Sequence, residues 1–180
     1  MAFAPPTSAA DEERAALQRE LGALYDEHAA RLYAVAHRLL GVREEAEECV
    51  QDLFVALARS RTERERIEDM RAYLFASLRR LAGARGRAQS RRAQLQDVLA
   101  RSGEPHAGAP DASEARALQR AIESLPQEQR EIVALKIDGQ LTFAEIAESM
   151  ELNLNTAASR YRYALDKLRE SLRLLHKDMP

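Results

Sequence analysis

The sequence predicts an all-α protein made of two small helical domains joined by a flexible linker. Apolar residues recur at three- and four-residue steps through most of the 180-residue chain, as they do on the buried side of amphipathic helices. Seven glycines, six prolines and few β-branched residues are typical of helical structure. A stretch rich in glycine and proline near the middle separates a front domain from a back domain.

Three helices are predicted in the front domain. The first spans residues 11–40 and ends before Gly41, a residue type common at helix ends. The second spans residues 44–59, with apolar residues on one side and acidic residues on the other. The third opens with Asp69 as its N-cap and continues toward Leu99. The inward residues predicted for the second and third helices are Ala46, Cys49, Val50, Leu53, Phe54, Leu57, Met70, Tyr73, Leu74, Leu78 and Leu81.

The stretch RSGEPHAGAPDAS, residues 101–113, contains two prolines and two glycines and is predicted to be a flexible linker. A flexible chain of that length spans on the order of 20 Å root-mean-square. The two domains are therefore predicted to be tethered but not rigidly joined. The other predicted boundaries are a disordered leader at residues 1–12, the front domain at 13–100 and the back domain at 114–177.

The back domain is predicted to end in a short helix, a tight turn and a longer helix. Thr142 and Glu145 have the spacing of a capping box, and Asn153 is placed to cap the last helix. The apolar residues predicted to face inward include Ala117, Leu118, Ala121, Ile122 and Leu125 in the earlier helix and Leu154 at the start of the last one. The residues predicted to face outward at the start of that last helix are Asn155, Thr156, Ala158, Ser159, Arg160 and Arg162. This order is that of a helix-turn-helix, whose second helix enters the major groove of DNA. An ordinary αα-hairpin in a helical bundle fits the same pattern equally well.

Charge is distributed unevenly along a chain whose net charge is only −2. Residues 1–60 carry 6 basic and 11 acidic side chains, and residues 61–104 carry 11 basic and 6 acidic ones. Residues 105–180 carry 10 basic and 12 acidic side chains. Such asymmetry indicates separate surfaces for separate partners. The acidic helix suits a protein partner, whereas the six arginines of residues 77–94 suit phosphate, with a solvated helix end as the alternative.

Composition and motifs argue against several other classes of protein. A single cysteine, Cys49, allows no intrachain disulfide and no cysteine-based zinc site, and it fits a reducing cytoplasm. No apolar run approaches the roughly 20 residues of a membrane span, so no membrane insertion is expected. The sequence lacks the HExxH, Walker-type and GxSxG motifs, so we expect neither an enzyme nor a bound cofactor or metal.

These motifs together resemble those of a bacterial sigma factor of the compact extracytoplasmic-function type, which keeps regions 2 and 4. The segment SLPQEQREIVALKIDGQLTFAEIAESMELNLNTAASRYRYALDKLRESL is similar to region 4, with Leu-Pro, "EIA" and a Thr-x-x-Ser-Arg recognition helix in the family's order. The segment EEAEECVQDLFVALAR is similar to the helix that binds polymerase. The segment MRAYLFASLRRLAGARGRAQSRR is similar to the helix that meets the downstream promoter element.

The resemblance implies three sets of site residues. Contacts with the clamp helices of RNA polymerase core are expected from Glu47, Glu48, Gln51 and Asp52. Contacts with the downstream element of promoter DNA are expected from Tyr73, Arg79, Arg80, Arg85, Arg87, Arg91 and Arg92. Contacts with the upstream element are expected from Thr142, Asn153, Asn155, Thr156, Ala158, Ser159, Arg160 and Arg162.

The sequence departs from the family pattern at several of these places. The family commonly has Trp where this chain has Tyr73, Asn at Arg80, Asp at Ala84 and Lys at Ala158. In the turn, Glu151 stands where Gly is usual, and this predicts a less common backbone angle there. The chain is therefore identified as a divergent member, with an unusual promoter preference expected.

The leading hypothesis is a transcription initiation factor that is a monomer when free and binds RNA polymerase core and promoter DNA. An anti-sigma factor is a further candidate partner, because the family often works that way. The main alternative is a helix-turn-helix regulator that binds DNA without polymerase, which would normally require a dimer. A helical adaptor without any role on DNA is a third reading, and the six-arginine run weighs against it.

Overall fold

The computed structural model describes residues 9–60, 64, 66–99 and 113–177, and these residues form seven α-helices and no strand. The helices are α1 (Ala9–Leu40), α2 (Arg43–Arg59), α3 (Met70–Leu99), α4 (Ser113–Glu123), α5 (Gln127–Ile137), α6 (Phe143–Ser149) and α7 (Leu154–Lys177). The predicted all-α fold with two helical domains is confirmed: α1–α3 form the front domain and α4–α7 the back domain. Most of the predicted leader and linker lies outside the described residues.

The front domain packs α1 against both α2 and α3. The core includes Leu32, Val35, Leu53 and Phe75, all essentially inaccessible to solvent. Cys49 is also fully buried, as predicted, and burial raises the pKa of its thiol to about 11. The thiol therefore stays protonated at neutral pH and serves as a small apolar side chain.

Helix ends in the front domain follow the predicted capping. Gly41 adopts a left-handed φ of +73°, and its amide donates a hydrogen bond to the carbonyl of His37 at 2.8 Å. Asp69 caps α3, because its carboxylate accepts a hydrogen bond from the amide of Ala72 at 2.9 Å. The guanidinium of Arg64 donates to the carbonyl of Leu57 at 2.9 Å and so satisfies the end of α2.

The back domain has a small core of its own between α4, α5 and α7. Its buried residues are Ala121, Ile122, Leu125, Val133, Ala164 and Leu168. Two residues predicted to face inward are exposed instead. Leu118, 41% exposed, lies one turn before the buried stripe of α4, and Leu154, 53% exposed, is the first residue of α7. Both lie at the start of the apolar stripe of their helix.

The two domains are packed against each other in this structure, and residues 100–112, which join them, lie outside the described part of the chain. Helix α1 contacts α5, and α3 contacts α6. One apolar cluster contains Phe75 and Leu78 of α3 together with Ile132, Leu141 and Ile146 of the back domain. The sequence pattern identified an apolar face on each helix, but it did not reveal that apolar faces of the front domain pack against those of the back domain.

The turn after α5 fits closely against α3. A Cβ atom added to Gly139 would lie 2.7 Å from the carbonyl oxygen of Leu135, 2.8 Å from Cδ1 of Leu141 and 3.1 Å from Cε1 of Phe75. The absence of a side chain at Gly139 therefore lets the aromatic ring of α3 approach the turn.

We expect Gly139→Ala to lower the free energy of unfolding by about 1–3 kcal/mol, because the added methyl overlaps a backbone oxygen that cannot move aside. Gly22→Ala is the control, since nothing lies within 4 Å of that position in α1. This change should raise the free energy of unfolding by about 0.5–1 kcal/mol through helix propensity. Urea unfolding followed by circular dichroism measures both, and equal effects would contradict the close fit at Gly139.

Candidate protein and nucleic-acid interfaces

The residues predicted to bind polymerase form an exposed acidic surface on α2. The side chains of Glu47, Glu48 and Asp52 are 46%, 66% and 59% exposed, and Gln51 is exposed beside them. Helical spacing places Glu48 and Asp52 one turn apart on the same side. We call these four residues the acidic face. Its carboxylates are exposed but paired within the chain, and Arg43 of the same helix contacts Glu47 at 2.8 Å.

One arginine of α3 binds the edge of the acidic face. The guanidinium of Arg85 contacts Asp52 at 2.5 Å, Glu45 at 3.1 Å and Glu48 at 3.2 Å. Burial lowers the pKa of Arg85, but the hydrogen bonds with these three carboxylates outweigh that effect and raise the pKa above its usual value. Arg85 therefore joins α3 to α2 and is not a free cation, although it was predicted to contact DNA.

The other predicted downstream contacts divide between partly buried and exposed positions. Arg79 contacts Glu131 at 3.2 Å and donates to the carbonyl of Ser149 at 3.1 Å, both in the back domain. Tyr73 is half-buried against the shared core. Those with exposed side chains are Arg80, which bonds to Ser77, and Arg87 and Arg91. Arg87 and Arg91 line a crevice between α3 and α5. The side chain of Arg92 lies outside the described residues.

The capping box predicted at the start of α6 is present. The amide of Glu145 donates to the hydroxyl of Thr142 at 3.2 Å, and the amide of Thr142 donates to the carboxylate of Glu145 at 2.6 Å. Thr142, predicted to contact DNA, thus uses its hydroxyl to fix the helix. In the turn, Glu151 adopts the predicted unusual angle, with φ of +55°.

The start of α7 presents the predicted reading residues together. The carboxamide oxygen of Asn153 accepts from the amide of Thr156 at 2.7 Å and caps the helix. One shallow depression is lined by Asn153, Leu154, Asn155, Thr156, Ala158, Ser159 and Arg162. We call this the reading face. Arg160 lies outside that lining and forms an ion pair with Glu128 of α5 at 2.7 Å. Short polar side chains at an open helix N-terminus suit contact with base edges and phosphates.

Models of two regions of one protein family match this chain. The model of sigma-70 region 2 matches residues 24–92, and the model of sigma-70, region 4, matches residues 115–168. The matched segments cover most of the described helices in the order that the family requires. The chain belongs to the sigma-70 family. Its acidic face lies in region 2 and its reading face in region 4.

A curated relative agrees with that assignment. The ECF RNA polymerase sigma factor RpoE of Cereibacter sphaeroides is 44% identical over 55 residues, which span 31% of this chain and 30% of that protein. The aligned segment is thus less than a third of the relative. The predicted resemblance to the extracytoplasmic-function type is confirmed.

Two solved structures share the fold. The sigma factor RpoE in complex with the anti-sigma factor NepR from Bartonella quintana aligns with a TM-score of 0.59 and 23% identity, covering 90% of this chain and 97% of that one. CnrH in complex with the cytosolic domain of CnrY aligns with a TM-score of 0.65 and 22% identity, covering 90% and 91%. At such identities the likeness establishes the arrangement of helices.

Sequence reasoning missed a set of charged contacts between the two regions. Arg38 of α1 binds Asp138, and Arg71 of α3 binds Glu145. Each residue looked like an ordinary polar position on an amphipathic helix, and helical periodicity carries no information about partners distant in sequence. Among the described helices, none is long and apolar enough to cross a membrane.

Glu145 makes stability depend on pH in a defined window. Burial by itself raises the pKa of the Glu145 carboxyl. The hydrogen bonds with Thr142 and the charge of Arg71 outweigh burial, so the pKa lies below its ordinary value of 4.5. A depressed pKa in the folded state stabilises the protein above the unfolded value, and this contribution is lost as pH falls through the folded value.

We therefore expect Glu145→Gln to reduce the free energy of unfolding most above pH 4.5, with the deficit relative to the native chain shrinking at lower pH. Urea unfolding at a series of pH values measures this difference. Glu148→Gln, at an exposed position of the same helix, controls for the loss of one carboxylate. A deficit that stays constant through the acid range would contradict the assigned role.

Proposed function

We propose that this chain is a transcription initiation factor that acts in the bacterial cytoplasm. It binds RNA polymerase core through the acidic face and directs the enzyme to promoters through regions 2 and 4. The observation that supports this best is the presence, in one sigma-70 family chain, of an exposed acidic face in region 2 and an exposed reading face in region 4. Members of this family are initiation factors rather than enzymes.

The polymerase contact is assigned to Glu47, Glu48, Gln51 and Asp52. Because these side chains are exposed, their ion pairs with Arg43 and Arg85 can be exchanged for contacts with the basic side of a clamp helix. Complementary charge favours both encounter rate and register. Arg85 neutralises part of the cluster and fixes α2 against α3. The acidic face therefore lies on a helix that Arg85 of α3 holds in place, and not on a loop.

The upstream promoter element is assigned to the reading face. Asn155 and Thr156 can reach base edges, and Arg162 can hold phosphate. Affinity of the isolated protein for DNA should be low, because its net charge is −2 and attraction to phosphate depends on the cations presented. Polymerase would supply the missing affinity by holding both regions near the duplex at high effective concentration.

The downstream element is assigned to the exposed arginines of α3, namely Arg80, Arg87 and Arg91. The predicted surface also includes Tyr73, which is half-buried, and Arg79 and Arg85, which are paired with carboxylates of the chain, as well as Arg92. With Arg80 and Ala84 at positions where the family commonly has Asn and Asp, we propose an unusual downstream preference.

An anti-sigma factor is proposed as a further protein partner. Two structures that share this fold are of sigma factors bound to partner proteins, one to the anti-sigma factor NepR and one to the cytosolic domain of CnrY. The alternative of a regulator that acts without polymerase is not favoured, because the acidic face would then have no evident partner. We propose that the free protein is a monomer.

We expect the double change Glu48→Lys and Asp52→Lys to weaken binding to RNA polymerase core at least about tenfold, because like charges would then face each other. Fluorescence anisotropy of the labelled protein at low salt measures the affinity. The matched control is Asp166→Lys with Glu170→Lys, which reverses two exposed carboxylates at the same spacing on α7. Equal affinities for the two double variants would remove the acidic face from the interface.

We expect Arg160→Ala to lower transcript yield from a cognate promoter roughly tenfold without changing core binding, because we assign Arg160, which adjoins Ser159 of the reading face, to a DNA phosphate in exchange for Glu128. Glu128→Ala is the control, since it breaks the same exposed ion pair, which contributes only about 0–1 kcal/mol to stability. Run-off transcription with purified core measures both. If the two variants lose the same activity, Arg160 acts only by supporting the helix.

A further inference from the structure

Three carboxylates along one side of α2 share the guanidinium of one arginine from α3. Glu45, Glu48 and Asp52 follow each other at steps of three and four residues, which places them on the same side of the helix. Arg85 lies 3.1 Å from Glu45, 3.2 Å from Glu48 and 2.5 Å from Asp52. Glu48 and Asp52 are also two of the four residues of the acidic face. The chain therefore carries its own positive group on the surface that is proposed to bind polymerase.

The arginine of this cluster is less accessible than its partners. The side chain of Arg85 is 22% exposed, whereas those of Glu48 and Asp52 are 66% and 59% exposed. The guanidinium is thus held between the two helices, and the carboxylates reach into solvent where a partner can contact them. A single exposed ion pair contributes little, but one guanidinium with three carboxylate partners is harder to displace than an isolated pair.

A basic partner meets these carboxylates in competition with Arg85. A cation that binds Glu48 and Asp52 either displaces the guanidinium, which then loses its ion pairs, or lies close to it and is repelled by its charge. Both alternatives subtract from the binding free energy that the carboxylates alone would supply. Arg43 differs from Arg85, because its side chain is 73% exposed and water solvates it readily when a partner takes its place beside Glu47.

We propose that Arg85 is an internal competitor for the basic partner of the acidic face, and that it sets both the affinity and the selectivity of the polymerase contact. This inference rests on the proposed function of the acidic face. A partner binds well only when its own cations, at the spacing of Glu48 and Asp52, supply more attraction than the guanidinium already does. Weakly basic surfaces are thereby rejected, so specificity is gained while affinity is lowered.

The test measures how changes at Arg85 alter the binding of the full chain to purified core polymerase. Arg85→Gln removes the cation but keeps a polar side chain, and it is expected to tighten binding about three- to tenfold at low salt. Arg85→Lys keeps the charge without the planar fork that spans several carboxylates, so a smaller gain is expected. Fluorescence anisotropy of the labelled chain measures the dissociation constants. Added salt should reduce the difference between the native chain and Arg85→Gln, because it screens these exposed charges.

Two controls separate competition from other effects of the change. Arg14→Gln removes the same charge from an exposed arginine of α1 that pairs with Asp11 of its own helix, and it should leave the affinity unchanged. The second control introduces Arg85→Gln into a chain that already carries Glu48→Gln and Asp52→Gln. With these two carboxylates neutral, Arg85 no longer competes for them, so the gain in affinity should disappear.

Unchanged or weaker binding of Arg85→Gln would overturn the proposal, because a residue that only fixes α2 against α3 does not tighten binding when it is lost. A gain that persists with Glu48 and Asp52 neutral would overturn it as well. Circular dichroism checks the helicity of each variant, and if Arg85→Gln loses helix, Arg85→Lys is judged by the same criterion.

Failure of the proposed function has a different signature. A native chain that does not bind core, or whose binding is unaffected by Glu48→Lys with Asp52→Lys, would refute the acidic face and the competitor together. Binding that this charge reversal weakens but that Arg85→Gln does not tighten would leave the acidic face in place and overturn the role of Arg85 alone.

Discussion

The contact between Phe75 and the turn at Gly139 and Leu141 fixes how the two halves of this sigma factor lie. The ring of Phe75 on α3 is fully buried, and residues of both domains belong to the apolar cluster around it. The turn after α5 encloses it because Gly139 has no side chain to block the approach. Once that contact is made, α6 lies against α3, and the orientation of the recognition helix α7 follows from its packing on α5 and α6.

Arginine takes several different roles along α3, although its sequence reads as one basic run. Arg71 and Arg79 turn toward region 4, Arg85 turns toward the carboxylates of α2, and Arg80 and Arg87 face solvent. The side of the helix on which each residue falls decides its partner, since neighbours in sequence point about 100° apart in an α-helix. A basic run in the sequence therefore gives the amount of positive charge on a helix, but it does not identify the partner that each arginine contacts.

Much of the fold could be predicted from local patterns. The buried Cys49, the stop at Gly41 and the capping box of Thr142 and Glu145 all depend on residues within one or two helical turns. The packing of the domains could not be predicted, because Arg38 and Asp138 are 100 residues apart and no periodicity links them. The same holds for the candidate sites. The residues near Asn155 lie together as predicted, because they are neighbours on one helix. The ion pairs of Arg85 with carboxylates of α2 could not be predicted, because they depend on how α2 and α3 pack.

The single cysteine of the chain has a consequence for how the protein could respond to its surroundings. The sulfur atom of Cys49 is enclosed by the packing of the front domain, and its proton is held firmly at neutral pH. Peroxides and disulfides react with accessible thiolates, so this protein offers them little to attack. A reaction of an oxidant with Cys49 would first require the helices of the front domain to separate and expose that sulfur.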